Sequence, residues 1–300
     1  MKFTQEELDE MGSARDDWSR TRRPTIQSLE AILYEPIPVL DHGSVTLVDY
    51  QGDEQFAAAA ARVSYGRGTK KTSNNRGLLR HLMKNQHWTP YEMCSMVFRI
   101  EMPIMVMRQL VRHRTAKINE YSGRYSVMPT EFYVPHPSRL SVQSKKNKQG
   151  SGTSLSDEDA GKVLELLRKD AESTFENYNR LLDDFDLARE LARLNLPLSA
   201  YTKIYWKMDI RNLFHFLGLR MDSHAQWEIR KFANVIGSMV EMGYPNMWQA
   251  FIDYGFESVT LSRMEAETLR KIIQTGMADE EDTGMSKREW REFRKQWNFG

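Results

Sequence analysis

Three hundred residues with 42 Lys and Arg against 41 Asp and Glu leave the chain almost neutral, so bulk charge gives no general grip on nucleic acid. A hydrophobic fraction of 40% and a mean hydropathy of −0.61 fit a folded chain with a sizeable core in one large or two small domains. No apolar run approaches the roughly 18 residues that a membrane-spanning helix needs, and a single cysteine, Cys94, allows no internal disulfide, which fits a cytoplasmic setting.

Residues 1–35 read as a solvated polar extension. "MKFTQEELDEMGSARDDW" is acidic and lacks the apolar stretch of a secretory signal, and a basic cluster at Arg20, Arg22 and Arg23 is closed by Pro24. From about residue 38 the texture changes. "VTLVDYQG" alternates like a strand, and "DEQFAAAAARVS" is alanine-rich enough for a helix with Asp53 near its start. "NNRGLLRHLMKN" predicts a second helix, stopped in "QHWTPYEM" by Pro90.

"SMVFRIEM" has period two, with Met96, Phe98, Ile100 and Met102 on one face of a strand. Pro103 then opens a helix expected to cover "PIMVMRQLVRHR", with Gln109, Arg112 and His113 on neighbouring rows. "QSKKNKQGSGTSLS" reads as a loop insertion. Ser156 with Asp159 signals the start of the long helix that follows. "PLSAYTKIYWKM" reads as a strand. Asp209 is placed to cap "IRNLFHFLGLR", and Asp222 to cap "SHAQWEIRKFANVIGSMVEM". Ser262 with Glu265, and Ser286 with Glu289, fit capping boxes of two further helices. A few non-adjacent strands followed by many helices argue for an α+β fold rather than a doubly wound parallel sheet.

Several chemistries lack their signatures. "SYGRGTK" has the wrong spacing for a dinucleotide or phosphate loop, and no Cys or His spacing suggests a metal. Cys94, at the start of an apolar strand, reads as a buried filler, and His42, His81 and His136 as surface or core-edge residues. What remains is a density of Arg, His and small polar residues in "HWTPYE", "QLVRHRTAKINEYSGRY" and "DIRNLFHFLGLRMDSHAQWE". Guanidinium forks match phosphate oxygens. An isolated Arg-His-Arg could equally be a basic cap on a helix dipole, and His215 a satisfied histidine in an apolar face. Charges flanked by long apolar stretches need partners, and a bound anion is one candidate.

Arg112, His113 and Arg114, then seven residues, then Ser122 satisfy a specific pattern, continued by "NEYSGRY". "HWTPYEM" upstream and "LPLSAYTKIYW", "LRMDSHAQWEIR" and "VTLSRME" downstream keep the same order. At these residues the chain resembles the flavin-dependent thymidylate synthases, over roughly residues 38 to 270. The resemblance implies that family's fold, a small mixed sheet packed with many helices and a site at the oligomer interface. It divides the chain into an N-terminal extension at 1–35, a catalytic domain at 36–275 and a charged helical extension at 276–300. It further implies that Arg112, His113 and Arg114, with Ser64, His87, Thr89, Glu120, Asp209, Arg211 and His215, hold FAD. Gln109, Arg112, Glu120, Ser122, Gly123, Arg124, Arg193 and Arg220 would hold the pyrimidine nucleotide, in a homotetramer with shared sites.

The implied reaction converts dUMP to dTMP with methylenetetrahydrofolate and NADPH, without a cysteine nucleophile. Arg220 would be the catalytic residue, stabilising the anionic uracil ring at its N3 to O4 edge. Two positions depart from the pattern: Lys117 replaces a small Ser, and Asp209 an Asn. Asp209 either faces the flavin or caps a helix. Related enzymes act on UMP, so UMP methylation or hydroxymethylation is the alternative substrate reading. A non-catalytic nucleotide- or RNA-binding protein is the rival of another class. A small-molecule nucleotide, with no nucleic acid and no membrane, is the expected partner.

Overall fold

The computed structural model describes residues 5–16, 21–64, 74–145, 150–276 and 278–298; most of "SYGRGTK" and Arg20 lie outside them. In chain order the elements are α1 (Gln5–Asp16), α2 (Gln27–Glu30), β1 (Pro36–Val39), β2 (Gly43–Gln51), α3 (Glu54–Arg62), α4 (Asn75–Lys84), α5 (Thr89–Glu92), β3 (Ser95–Pro103), α6 (Ile104–Leu110), β4 (Lys117–Glu120), β5 (Ser141–Gln143), β6 (Ser151–Ser154), α7 (Asp157–Asp183), α8 (Arg189–Ala192), β7 (Tyr201–Asp209), α9 (Ile210–Arg220), α10 (Trp227–Gly243), α11 (Pro245–Phe251), α12 (Arg263–Thr275) and α13 (Lys287–Gln296). They fall into two units, Met1–Tyr254 and Gly255–Gly300.

The expected α+β class is what the larger unit adopts. Its five-stranded sheet has the order β1-β2-β3-β7-β4 with antiparallel pairings throughout. Parallel pairing among the described residues is confined to an isolated bridge between Leu33 and Leu47. The face of β3 carrying Met96, Phe98, Ile100 and Met102 is fully buried, as its period-two pattern requires. Phe98 packs on Trp206 of β7, and Trp206 on Phe216 of α9 at 5.0 Å between ring centres.

On the opposite face of β3, Arg99 and Glu101 are charged and also buried, 7% and 1% exposed. Arg99 Nη2 donates to Glu101 Oε1 at 3.1 Å and to Glu7 Oε1 at 2.9 Å, while Lys203 pairs with Glu7 and lies 3.5 Å from Glu101. Burial pushes the Glu101 carboxyl pKa up against the pull of Lys203 and Arg99. This corrects the reading of residues 1–35 as a solvated extension, because α1 supplies Glu7 and buries Met11. Among the described residues two cations meet two carboxylates here, and without α1 one carboxylate would be lost from the cluster.

Strands and helices are joined without a loop at two places, and this positions the site. Pro103 ends β3 and precedes α6; Asp209 ends β7 and caps α9, its Oδ1 accepting from the Asn212 N–H at 2.9 Å. Because β3 pairs with β7 from Ser95–Asp209 to Pro103–Tyr201, the two helices leave from opposite ends of the pair. Their 7 and 11 residues span about 10 and 16 Å, close to the roughly 30 Å of a nine-residue strand pair. The C-termini of α6 and α9 therefore meet.

Three expectations need revision. The helix after Pro103 stops at Leu110, so Arg112, His113 and Arg114 lie in a turn and not on a helix face; the His113 N–H donates to the Leu110 carbonyl at 3.0 Å as the chain bends into β4. Asp222 does not cap the following helix. It accepts from the His224 N–H at 2.7 Å in a local turn, and α10 begins at Trp227 with Gln226 at the cap position. The insertion after residue 140 forms a two-stranded ribbon, β5 with β6, around 146–149, which lie outside the described residues.

The smaller unit follows its sequence closely. Both capping boxes form, at Ser262 with Glu265 and at Ser286 with Glu289. Gly276, at φ 80°, ends α12 in a left-handed conformation that only glycine adopts without cost. Met285, Trp290 and Phe293 are its buried core, with Trp297 packed against them.

Candidate functional site

Three clusters of candidate residues are brought together in the larger unit. The first forms where α6 and α9 end. Arg220 Nε donates to His113 Nε2 at 3.0 Å, and its Nη2 donates to the Gln109 carbonyl at 3.4 Å. The His113 ring stands edge-on to Phe216 at 4.9 Å and 6.2 Å from His215. With Nε2 accepting, the ring proton belongs on Nδ1. Burial first, then Arg220 and His215, lower the His113 pKa to about 4, so the ring is neutral near pH 7. Burial also lowers the pKa of Arg220. Two helix C-termini converge here, and their carbonyl dipoles favour the cations.

The second cluster lies at the other end of α9. The Arg211 guanidinium stands over the Trp88 ring, 5.6 Å from its centre, and its Nη1 donates to Asn212 Oδ1 at 2.7 Å. Trp88 is flanked by the exposed His87 and Thr89, so the "HWT" turn and the start of α9 share one surface. Asp209 is committed to capping, accepting from both the backbone N–H and the side-chain Nδ2 of Asn212. Arg211 and Arg220 are nine residues apart, about 14 Å along the helix.

The third cluster follows β4. Thr202 Oγ1 donates to Glu120 Oε1 at 2.9 Å, fixing that carboxylate at the sheet edge. Ser122 Oγ accepts from the Arg124 N–H at 3.3 Å, and Arg124 Nε donates to Glu190 Oε2 at 3.1 Å. A Cβ on Gly123 would lie 3.2 Å from Arg193 Cδ, so glycine there lets Arg193 close over the turn. Ser64, Arg112 and Arg114 are exposed and share no hydrogen bond with the other candidates among the described residues.

Six arginines, Arg112, Arg114, Arg124, Arg193, Arg211 and Arg220, outweigh the local carboxylates, which suits phosphate-bearing ligands. Cys94 is no nucleophile: it is buried, its Sγ donates to the Asp53 carbonyl at 3.3 Å, and burial pushes its pKa up to about 12. Sequence reasoning missed Trp88, Gln226, Glu228 and Tyr133. Gln109 Nε2 donates to Gln226 Oε1 at 2.6 Å, Gln226 Nε2 to Glu228 Oε2 at 2.8 Å, and Tyr133 OH to Glu228 Oε1 at 3.2 Å. The one signal for the pair was its position inside "AQWE", directly before an apolar helix.

A family profile described as "Thymidylate synthase complementing protein" matches residues 46–246. The chain is 45% identical over 296 residues to a flavin-dependent thymidylate synthase of Ruegeria pomeroyi, covering 98% of each. To that of Ehrlichia ruminantium (strain Gardel) it is 47% identical over 273 residues, 91% of this chain and 92% of the relative. Among solved structures, the UMP/dUMP methylase PolB of Streptomyces cacaoi bound with 5-Br UMP aligns with a TM-score of 0.65 at 35% identity, over 73% of this chain and 98% of that one. The same protein bound with 5-Br dUMP gives the same TM-score.

Proposed function

The chain belongs to the flavin-dependent thymidylate synthase family, and from that premise we propose that it methylates uracil C5 of dUMP to give dTMP, with FAD as cofactor and methylenetetrahydrofolate and NADPH as co-substrates. The observation that carries this reading is the contact of Arg220 with His113 and Gln109, 107 and 111 residues earlier in the sequence. It joins the Arg-His-Arg segment to the later "LRMDSHAQWE" segment in one half-buried cationic site.

The residues fit a flavin nucleotide. Arg112, Arg114 and Arg211 offer exposed or half-exposed guanidinium groups for a diphosphate, and Trp88 offers an aromatic face beside Arg211. Bound FAD would supply the redox chemistry. The chain's own residues orient and polarise: Ser122, Gly123, Arg124 and Arg193 hold the nucleotide, and Arg220 stabilises negative charge on the uracil ring. Neutral His113 accepts from Arg220 and so aims its guanidinium. Ser122 acts by position, since among the described residues its hydroxyl oxygen meets the Arg124 N–H and no general base.

A homotetramer with shared sites is supported by apolar side chains on the substrate-binding segments. Tyr125 is 75% exposed, Leu194 74% and Leu198 63%, which is a large apolar display for a chain that acts alone. A second substrate reading, UMP, stands beside dUMP because PolB is bound with 5-Br UMP in one structure and with 5-Br dUMP in the other.

The test is the visible spectrum of the purified protein, followed anaerobically on adding NADPH with dUMP or UMP. Yellow protein that bleaches faster with dUMP supports the proposal, and a preference for UMP moves the substrate. Protein that neither carries nor binds FAD overturns it, and colourless protein with salt-dependent RNA binding would identify the non-catalytic rival.

A further inference from the structure

The hydrogen bonds behind Gln109 all point the same way. Glu228 is buried in the first turn of α10, where the helix dipole favours a carboxylate. An ionised carboxylate only accepts. Its Oε1 takes the Tyr133 hydroxyl and its Oε2 takes Gln226 Nε2. Tyr133 remains a donor, because burial and then Glu228 raise its pKa. Gln226 occupies the cap position of α10, yet its side chain makes no capping bond. With its NH2 group committed to Glu228, its Oε1 must face Gln109 and accept. Gln109 must then turn its own NH2 group to Gln226. Gln109 Oε1 is left over, with no hydrogen-bond partner among the described residues.

We infer that Glu228, acting through Gln226, is a positioning residue that fixes the sense of the Gln109 amide. Gln109 Oε1 thereby faces the nucleotide, and the site takes a hydrogen-bond donor there, a ring N–H or a ribose O–H of the pyrimidine nucleotide. The inference rests on the proposed function. Without the carboxylate, the two amides can reverse together, and Gln109 would then meet a donor with a donor.

The experiment uses the full chain, with dUMP as the probe, and compares wild type with Glu228→Gln, Gln226→Ala and the double variant. Equilibrium dUMP binding, the dUMP KM, kcat and thermal midpoints are measured. Each single variant is expected to weaken dUMP binding about ten-fold and to hold kcat at saturating dUMP within roughly two-fold. The double variant should bind no worse than the weaker single, because the two residues act in series. A merely structural role would instead lower midpoint and kcat together and give additive losses, and that result overturns the inference. Unchanged dUMP binding in both single variants overturns it as well. Gln226 is exposed, so Gln226→Ala carries the test if Glu228→Gln fails to fold. A wild type that binds no pyrimidine nucleotide overturns the functional reading and this inference with it, whereas a binding wild type with unaffected variants overturns the inference alone.

Discussion

Arg220→Ala removes the donor to His113 Nε2 and the donor to the Gln109 carbonyl in one step. The guanidinium is half-buried at the last residue of α9, where burial already lowers its pKa, so its charge is less screened than at a free surface. Losing one preorganised donor of this kind costs about 10²–10³ in kcat, or roughly 2.7–4 kcal/mol of barrier. Flavin content should be unchanged, since Arg112, Arg114 and Arg211 are untouched. The same variant has a second readout at His113. Burial is the first cause of its low pKa and Arg220 the second, so removing Arg220 should raise the value from about 4 while burial holds it below the ordinary 6.5. The assay is single-turnover formation of dTMP beside an NMR titration of the His113 ring. Turnover within about three-fold of wild type would remove Arg220 from the mechanism. A His113 titration identical to that of wild type would refute the contact from which the argument starts.

His113 should also shape the acid limb of stability. Its folded pKa, about 4, lies below the unfolded 6.5, so the unfolded chain takes up the proton first. The stabilisation is complete above about pH 6.5 and is lost as pH falls toward 4, on the order of 2 kcal/mol by pH 5; urea unfolding at pH 7 and 5 should show a smaller loss in His113→Asn, and equal losses would sink the idea. Lys203→Met removes one of the cations that face Glu7 and Glu101, and should cost about 3–5 kcal/mol in urea unfolding; a loss below about 1 kcal/mol would mean that the cluster is solvated. Gly123→Ala places a Cβ 2.8 Å from Met128 Sδ and 3.2 Å from Arg193 Cδ. It should cost roughly 1–3 kcal/mol and raise the nucleotide KM with little change in kcat, and an unaltered KM would separate Arg193 from nucleotide binding.

The parts of the fold legible in the sequence are those whose cause is local. The period-two face of β3, the caps at Asp53, Ser156 and Asp209, and both capping boxes each depend on residues within a few positions. The role of α1 was not legible, because its acidic residues look solvated until the charged reverse face of the sheet, built from residues near 100 and 203, is known. The end of α6 was missed for a similar reason. Apolar periodicity continues through Val111, and only the need to reach β4 stops the helix. At the site, the arginines and histidines stood out by residue type, whereas Gln226 and Glu228 resemble an ordinary helix start. Their part is set by Gln109, 117 residues earlier.

The turn that replaces the last part of the expected helix has a consequence for how the Arg-His-Arg segment tolerates change. Consecutive side chains on a helix are spread about 100° apart around one axis; here the middle residue is buried and both neighbours are exposed. Which residue goes inside is therefore set by counting from Leu110. One residue more or fewer between Leu110 and His113 would put an arginine into the space beside Phe216 and send the histidine to solvent. That arginine would face Arg220 in a half-buried setting, where two like charges repel. Insertions are the changes that turns ordinarily absorb best, and in this one the number of residues is as tightly specified as their identity.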